Sequence, residues 1–485
     1  MSANQQARQD AVLQAADPLL ERMACPACAF GGDTGKTVSL DTGREDLACP
    51  KCLTRFPLIR SGQHDVPWVF PCPGTAHLEW SARYRGEVQR LTEEHNRLNH
   101  ALSGGNASAR GRRRLSSELR AIRDHRLRLA DLLAPVALDS DDVVPAVTRN
   151  LRDKLPKNQG IASYTNNVFR DWSWNNGENE AILRAVESVI VPDLRDRLGA
   201  MLTLGAGAGR LTYDMHRRFA PELSVALDFN PLLLLLASRV VQGESVSAYE
   251  FPLAPIDEAH CAVAQECAAP EAILDRKLRF VLGDATSPPF APGSFDTIVT
   301  PWLLDILPQD LSVFLPQINR LLPDKGLWIN TGTLAFFHRD PCRRYSEAEV
   351  LELIEEAGFE LLSLDHRNLP YMNSPHSGHG RTERIVTFAV QKVRDVIPGH
   401  RRGYLPDWAQ DPSLPIPSTM TSTLQASSQL LKAQVLAAID GKRSIDAIAV
   451  MVSREYGLTQ EECRLAIQRM LAEICDAELT AFGPW

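Results

Sequence analysis

The stretch from Met201 to Asn230 constrains the fold of this chain most strongly. It contains an apolar strand, a turn with Gly205, Gly207 and Gly209 that opens a helix, and a second strand that ends at Asp228. Glycines let the backbone turn sharply and approach a ligand, and an acid about twenty residues beyond such a turn can grip a ribose. The spacing therefore predicts a strand–turn–helix–strand unit that binds a nucleotide-like molecule.

The segments that follow extend this unit. LRFVLGDATSPPF ends an apolar run at Asp284, FDTIVTPWLLDIL gives a buried strand, and INRLLPDKGLWINTG gives a helix, a turn and another strand. A glycine turn alone joins strands to helices in many α/β domains, so the order of the elements carries the prediction. We predict a doubly wound, Rossmann-like α/β domain. The order resembles the class I methyltransferases that use S-adenosylmethionine (SAM).

This resemblance implies a SAM site with a physical reason for its main contacts. Asp228 would bind the ribose hydroxyls, because a carboxylate at a strand end accepts two hydroxyl hydrogens in charge-assisted bonds. Asp284 would flank the adenine, and the glycines would pass close to the methionine end of SAM. Thr203 stands where related enzymes often have an acid, which leaves binding of the SAM amine open. The residues implied to bind the cofactor here are Gly205, Gly207, Gly209, Arg210, Asp228, Asp284 and Ala285.

The flanking segments narrow the resemblance. VFRDWSWNNGENEAILRAVESV precedes the glycine turn, ALDFNPLLLLLASRVV follows it, and LWINTGTLAFFH leads to YSEAEVLELIEEAGFE. Together they resemble the carnosine N-methyltransferase family, also called N2227-like proteins, from roughly Asn150 to Val393. The resemblance implies that Asn167 and Arg170 reach SAM over the top of the site, with Asn in place of the usual Gln.

Enzymes of this family methylate an imidazole nitrogen of a histidine-containing dipeptide. The resemblance assigns Asp305 to the acceptor imidazole and His338 and Tyr371 to the acceptor pocket. Two further tyrosines expected before the last strand are absent, and the chain has RTE there, at 381–383. An acceptor other than carnosine is therefore expected. From the residues alone, Asp305 could instead be a helix cap or a solvated carboxylate at a strand end, and His338 a hydrogen-bonded residue at a strand end.

The imidazole prediction has a chemical basis. An imidazole is largely neutral near pH 7, and a carboxylate bonded to one ring N–H leaves the lone pair of the other nitrogen free. The ring becomes cationic as it is methylated, so Asp305 would also stabilise the developing charge.

Two CxxC pairs near the N-terminus predict a four-cysteine zinc ribbon. Cys25 and Cys28 form one pair, and Cys49 and Cys52 form the other. Two such knuckles present four thiolates to a tetrahedral ion, which leaves no open position for catalysis. We expect structural zinc, with a redox pair or unligated thiols as alternatives. The segment resembles small zinc ribbons that activate methyltransferases or precede them in the same chain.

Composition agrees with a modular enzyme. The 485 residues are 44% apolar, and the formal net charge of −8 argues against general affinity for nucleic acid. The longest apolar stretch, PLLLLLASRVV, is too short to span a bilayer, and the polar start has no apolar signal segment. Six scattered cysteines outside the CxxC pairs favour a reducing cytoplasm.

The remaining segments indicate two helical modules. Leu78 to Leu133 gives two amphipathic helices, and the arginines at 110 and 112–114 between them form a solvated loop or a phosphate contact. The pattern over residues 421–478 predicts helices, and one of them begins at a capping box formed by Thr459 and Glu462. This last part resembles PqqD-type winged-helix domains, some of which hold precursor peptides; a small helical lid or a dimer contact is the alternative.

We therefore predict an N-terminal tail over 1–20, a zinc ribbon over 21–72, a helical hairpin over 73–140, a methyltransferase domain over 150–394, a proline-rich linker over 395–420 and a helical module over 421–485. The predicted function is SAM-dependent N-methylation of an imidazole in a peptide or small histidine derivative. No membrane association is predicted. One alternative acceptor is RNA or another protein residue. Another alternative is a zinc-containing scaffold with a non-catalytic methyltransferase fold.

Overall fold

The computed structural model describes residues 17–30, 38–43, 45–105, 107–138, 161, 164–338, 341–396, 415, 430–440, 442–456 and 459–480. The chain forms two compact units, Met1–Arg401 and Arg402–Trp485. Most of the expected N-terminal tail and of the proline-rich linker lies outside the described residues. None of the helices formed by the described residues has the length and apolarity that a membrane span requires.

The strands of the described residues all belong to the first unit. They are β1 (Asp41–Thr42), β2 (Asp46–Ala48), β3 (Arg55–Ser61), β4 (His64–Val69), β5 (Ala200–Leu204), β6 (Leu223–Asp228), β7 (Val246–Glu250), β8 (Val263–Cys267), β9 (Leu278–Gly283), β10 (Thr297–Pro301), β11 (Leu327–Gly332), β12 (Phe359–Tyr371) and β13 (Arg381–Lys392).

The α-helices that bear on the argument lie in both units. They are α1 (Pro26–Phe30), α2 (Pro73–Ser103), α3 (Ala109–Leu133), α4 (Thr165–Trp172), α5 (Glu178–Val189), α6 (Pro192–Arg195), α7 (Arg210–Phe219), α8 (Pro231–Val241), α9 (Leu311–Leu321), α10 (Glu347–Glu356), α11 (Ile445–Tyr456) and α12 (Gln460–Thr480).

The central sheet confirms the predicted α/β fold. Its strands from residue 200 onward lie in the order β9-β6-β5-β10-β11-β13-β12, and the first five run parallel. Every residue of β5, β6, β9 and β11 is buried, as expected for parallel strands with helices on both faces. The order reverses between β5 and β10, and ligands of such sheets bind at the carboxyl ends of the strands around this switch point.

The cysteine-bearing segment is joined to this sheet. Strands β1 to β4 form an antiparallel meander, and β4 then pairs in parallel with β9, Trp68 opposite Leu282 and Val69 opposite Gly283. Eleven strands of the described residues thus form one sheet that runs from β1 to β12, and β7 and β8 form a separate antiparallel pair. The edge that β9 would otherwise leave unpaired is covered by β4 of the same chain.

The two helices indicated between Leu78 and Leu133 are α2 and α3. Ser108 begins α3, because its Oγ accepts a hydrogen bond of 3.0 Å from the Gly111 N–H. The Trp80 ring, fully buried on α2, stacks on Phe229 with 5.8 Å between the ring centroids. Phe229 follows Asp228 directly, so this helix pair supports the end of β6.

The described part of the second unit is helical, with a segment over 430–437 followed by α11 and α12. The predicted capping box begins α12, since Thr459 Oγ1 accepts from the Glu462 N–H at 3.3 Å and Glu462 Oε2 accepts from the Thr459 N–H at 3.0 Å. A small apolar core joins the helices, formed by Val435, Ala438, Ile448, Ala449, Val452, Cys463 and Ile467.

Candidate cofactor and acceptor cleft

The glycine turn after β5 leaves space on one side and packs tightly on the other. Gly205 has φ 66° and Gly207 has φ 59°, a region that favours glycine. A Cβ on Gly205 would lie 2.9 Å from Leu303 Cδ1, whereas a Cβ on Gly207 would have no atom within 4 Å. A ligand can therefore approach the backbone at Gly207.

Asp228 connects this turn to the end of β6. Its Oδ2 accepts a hydrogen bond of 2.8 Å from the Gly207 N–H, and its Oδ1 accepts one of 2.9 Å from the Asn230 N–H. Burial nevertheless raises the pKa of the Asp228 carboxyl to about 6. The two hydroxyls of a ribose would add donors to this buried carboxylate, so the site fits the sugar of SAM.

Asp284 and Ala285 lie at the end of the neighbouring strand β9. Asp284 Oδ1 accepts hydrogen bonds from the N–H and the Oγ1 of Thr286, both of 2.7 Å. Ala285 packs against the apolar cluster that contains Leu303. The carboxyl ends of the parallel strands β5, β6 and β9 thus bring Gly205, Asp228 and Asp284 to one edge of the sheet.

Asn167 and Arg170, which the family resemblance assigns to SAM, both lie on α4. The Arg170 guanidinium pairs with the Asp171 carboxylate at 2.7 Å and lies 5.5 Å from the Tyr371 ring centroid. Asn167 is half-buried on the same helix.

Arg210 is placed differently from the other residues assigned to the cofactor. It is buried at the start of α7, after Gly209, with its Nε 2.9 Å from both Asp214 carboxylate oxygens. Its Nη1 donates to the Asp171 carbonyl at 2.7 Å. These bonds tie α7 to α4 and engage the guanidinium within the protein.

Asp305 has one oxygen fixed and one without a partner. It lies in the turn after β10, where its Oδ2 accepts hydrogen bonds from Thr333 Oγ1 at 2.6 Å and from the Ala335 N–H at 3.0 Å. Its Oδ1 is buried and has no hydrogen-bond partner among the described residues. Burial raises the pKa of Asp305, and the nearby charge of Glu383 adds to the shift. The geometry leaves Oδ1 ready to accept a hydrogen bond from a ligand.

Tyr371 lies in a cluster of aromatic and charged side chains beside this acid. Its ring stacks on Trp302 with 5.1 Å between centroids, and the Arg381 guanidinium lies 4.8 Å from its centroid. Trp302 Nε1 donates to Glu383 Oε2 at 2.7 Å, and Arg381 pairs with Glu383 Oε1 at 2.8 Å. The RTE segment therefore builds a charged wall where the family resemblance predicts tyrosines.

His338 lies further along the segment that leaves β11. It is half-buried, and its carbonyl accepts a hydrogen bond of 2.7 Å from Arg344 Nε. The adjacent Phe337 side chain is 94% exposed, so the segment from Ala335 to His338 runs from Asp305 to the protein surface.

Three residues around Asp305 and Tyr371 have no role predicted from the sequence. Trp302 follows β10 with φ 45°, a conformation that is costly for a non-glycine residue and common at functional sites. Thr333 orients Asp305, and Glu178 accepts the N–H groups of Met372 and Asn373 next to Tyr371, at 3.0 and 2.7 Å. The position of Trp302 at a strand end, three residues before Asp305, was the available signal.

The four CxxC cysteines come together in the structure. Cys25 Sγ lies 3.6 Å from Cys52 Sγ, Cys28 Sγ lies 3.7 Å from Cys49 Sγ, and all four sulfur atoms lie within 4.8 Å of one another. A tetrahedron of Zn–S bonds of about 2.3 Å has edges of about 3.8 Å. The cluster is therefore compatible with one zinc ion.

The strand order and the cleft together define a class I SAM-dependent methyltransferase. The family model of carnosine N-methyltransferase matches residues 148–392, half of the chain. The chain belongs to the carnosine N-methyltransferase family.

Solved structures similar to this chain include other methyltransferases. A SAM-dependent methyltransferase of Methanosarcina mazei is 16% identical, over 42% of this chain and 99% of its own, with a TM-score of 0.30. Phosphoethanolamine N-methyltransferase 2 of Haemonchus contortus, solved with SAM, is 15% identical, over 49% of this chain and 58% of its own, with a TM-score of 0.30. Among curated proteins, no match to the chain is found.

Proposed function

We propose that this methyltransferase transfers the SAM methyl group to an imidazole nitrogen of a histidine, in a peptide or a small histidine-containing molecule. The observation that carries the proposal is the Asp305 carboxylate, whose Oδ2 is held by Thr333 and Ala335 while the buried Oδ1 has no partner among the described residues. A buried unpaired oxygen is costly, so it is expected to meet a donor on the acceptor.

An imidazole supplies that donor in the required geometry. Its ring N–H would donate to Asp305 Oδ1, which fixes the tautomer and leaves the second nitrogen with a free lone pair. The half-buried Trp302 ring, which stacks on Tyr371, offers a flat apolar surface for packing against the acceptor. Because burial raises the pKa of the Tyr371 phenol, its hydroxyl stays protonated near neutral pH and can donate.

The reaction asks the protein for orientation and charge stabilisation. The site residues would hold SAM so that it could supply an electrophilic methyl group; the imidazole lone pair would form the new N–C bond, and the C–S bonding pair would stay on sulfur in S-adenosylhomocysteine. The ring then carries a positive charge, and Asp305 stabilises it and receives the N–H proton. The proton passes to water when the product leaves, so the carboxylate is restored.

The proposal includes a cofactor site at the carboxyl ends of the parallel strands. Asp228 would hold the ribose, Asp284 and Ala285 the adenine, and Gly205 and Gly207 the methionine end, while Asn167 and Arg170 would reach SAM from α4. His338 would contact the acceptor nearer the surface. The four thiolates would hold structural zinc, and contact of a precursor peptide with the helical module over 421–485 is proposed as a second recognition point.

The charged wall of Arg381 and Glu383 supports an acceptor other than carnosine. These residues form an ion pair and hold the Trp302 indole N–H. They put charged groups where the family resemblance predicts phenol rings, so the contacts of the acceptor at this wall would differ from those of carnosine.

The proposal is tested by methyl transfer from labelled SAM. A clarified lysate is separated after the reaction into small-molecule, peptide, protein and RNA fractions, with carnosine and free histidine assayed alongside. The Asp305→Asn variant keeps the size of the side chain, and Asp324→Asn is its control, because Asp324 is exposed in the turn before β11, at the opposite edge of the sheet.

We expect label on imidazole nitrogens in the peptide or small-molecule fraction. Asp305→Asn should lose methyl transfer by about 100-fold while it binds S-adenosylhomocysteine as the parent does, and Asp324→Asn should change neither. Label on RNA or on another side chain would overturn the proposed acceptor, and unchanged turnover by Asp305→Asn would remove Asp305 from it.

A further inference from the structure

The loop that follows β9 is held from both sides by the cysteine-bearing segment. On one side, the parallel pairing of β4 with β9 brings Val69 opposite Gly283, the residue before Asp284. The contact is close, because a Cβ on Gly283 would lie only 3.2 Å from the Val69 carbonyl oxygen. The carboxyl end of β4 therefore lies at the same edge of the sheet as the cofactor cleft.

On the other side, the residues just before Cys25 pair with the end of the same loop. The Ala24 N–H donates to the Pro289 carbonyl at 2.9 Å, and the Ala291 N–H donates to the Arg22 carbonyl at 2.9 Å. Arg22 Nε also donates to the Ser294 carbonyl at 3.0 Å. The chain from Asp284 to Pro288 is thus bracketed by two attachments.

The apolar cores of the ribbon and the loop are continuous. Met23, Cys25 and Cys49 belong to the same buried cluster as Phe290 and Phe295, and Ala285 packs against that cluster. Phe290 is 1% exposed and meets Phe295 edge to face at 4.9 Å between centroids. Because Ala24 and Cys25 are adjacent, the geometry of the thiolate cluster and the position of the loop depend on the same backbone.

We propose that the metal-bound ribbon positions the adenine side of the SAM site, so that loss of zinc weakens cofactor binding. The proposal rests on the proposed placement of the adenine beside Asp284 and Ala285. Without zinc, the segment from Arg22 to Cys25 loses the cross-link to Cys49 and Cys52 that fixes it, and the loop loses one of its two attachments. Ordering even one residue on binding corresponds to about tenfold in affinity.

The first experiment compares the full-length protein before and after zinc removal by a chelator, with the released zinc quantified. The affinity for S-adenosylhomocysteine is measured by titration calorimetry, and hydrogen exchange is followed over 281–291 and, as an internal control, over β5. We expect about tenfold weaker binding and faster exchange in 281–291 while β5 stays protected, with recovery on adding zinc. A zinc-free protein with unchanged affinity would overturn the proposal.

A pair of variants tests the attachment without touching the thiolates. Arg22→Ala removes the side-chain bond to Ser294, and Arg55→Ala removes an ion pair with Asp46 inside the ribbon, at 2.7 Å. We expect Arg22→Ala to bind S-adenosylhomocysteine about threefold more weakly than the parent, and Arg55→Ala to bind it with the parent affinity. Equal effects of the two changes would overturn the proposal. Absence of binding by the zinc-loaded parent would instead contradict the cofactor site itself.

Discussion

The Asp228 carboxyl is buried, and its pKa lies within the pH range in which ligand binding can be measured. Burial raises this pKa to about 6, although the Gly207 and Asn230 N–H groups donate to the charged form. Ionisation is thus penalised in the cofactor-free protein. Ribose hydroxyls that donate to the carboxylate would lower its pKa again, so binding is linked to the loss of a proton.

The affinity for S-adenosylhomocysteine should therefore rise with pH through about 6. One linked proton with this pKa makes binding about tenfold weaker at pH 5 than at pH 7, because most of the carboxyl is protonated at the lower value. Titration calorimetry at the two pH values measures the difference. Asp228→Asn should bind weakly and equally at both, and a parent affinity that does not change with pH would contradict the proposed role of Asp228.

Lys392, the last residue of strand β13, donates hydrogen bonds to carbonyls at the carboxyl end of helix α9. Lys392 is 4% exposed, and its Nζ donates to the Asn319 and Leu322 carbonyls, both at 2.9 Å, and pairs with Asp395 at 2.7 Å. A cation at a helix C-terminus satisfies carbonyls that the helix leaves without partners. These hydrogen bonds therefore join strand β13 to helix α9.

Replacing this lysine should destabilise the first unit. Lys392→Met keeps the apolar stem, but it leaves the Leu322 carbonyl without its donor and the Asn319 carbonyl with only the Leu322 N–H, which costs about 2–3 kcal/mol. The measurement is the midpoint of urea unfolding followed by tryptophan fluorescence. Lys277→Met is the matched control, because Lys277 is exposed at the start of β9. An equal midpoint for the parent and Lys392→Met would show that water replaces the ammonium group.

The elements differ in how much of them the sequence predicts. The β5–α7–β6 unit is predictable because its signals are local: an apolar run, glycines at positive φ and an acid at a strand end. The pairing of β4 with β9 is not, since it joins residues more than 200 positions apart and any strand offers the same backbone donors.

The acceptor side of the cleft shows the same limit. Asp305 was identified through the family resemblance, but its orientation depends on Thr333, which a parallel strand brings beside it. The contact of Arg170 with Tyr371 depends on how α4 packs against the end of β12. Residue types at strand ends are visible in a sequence, whereas distances between strand ends are set by the tertiary packing.

At the scale of the whole molecule, the apolar clusters of the two units have no residue in common. The sheet and its helices are held by clusters within the first unit, and the helices of the second unit by the cluster around Val435 and Ile448. A chain shortened to 1–401 should therefore fold and retain the parent affinity for S-adenosylhomocysteine, measured by titration calorimetry.

The same shortened chain separates two roles for the helical module. If the module recognises a peptide, removing it should raise KM for a peptide acceptor about tenfold or more, because a second attachment point contributes through effective concentration, while KM for a small histidine-containing acceptor should not change. Equal KM values for the peptide with and without the module would contradict the proposed contact. Loss of S-adenosylhomocysteine binding on truncation would show instead that the catalytic unit needs the module to fold.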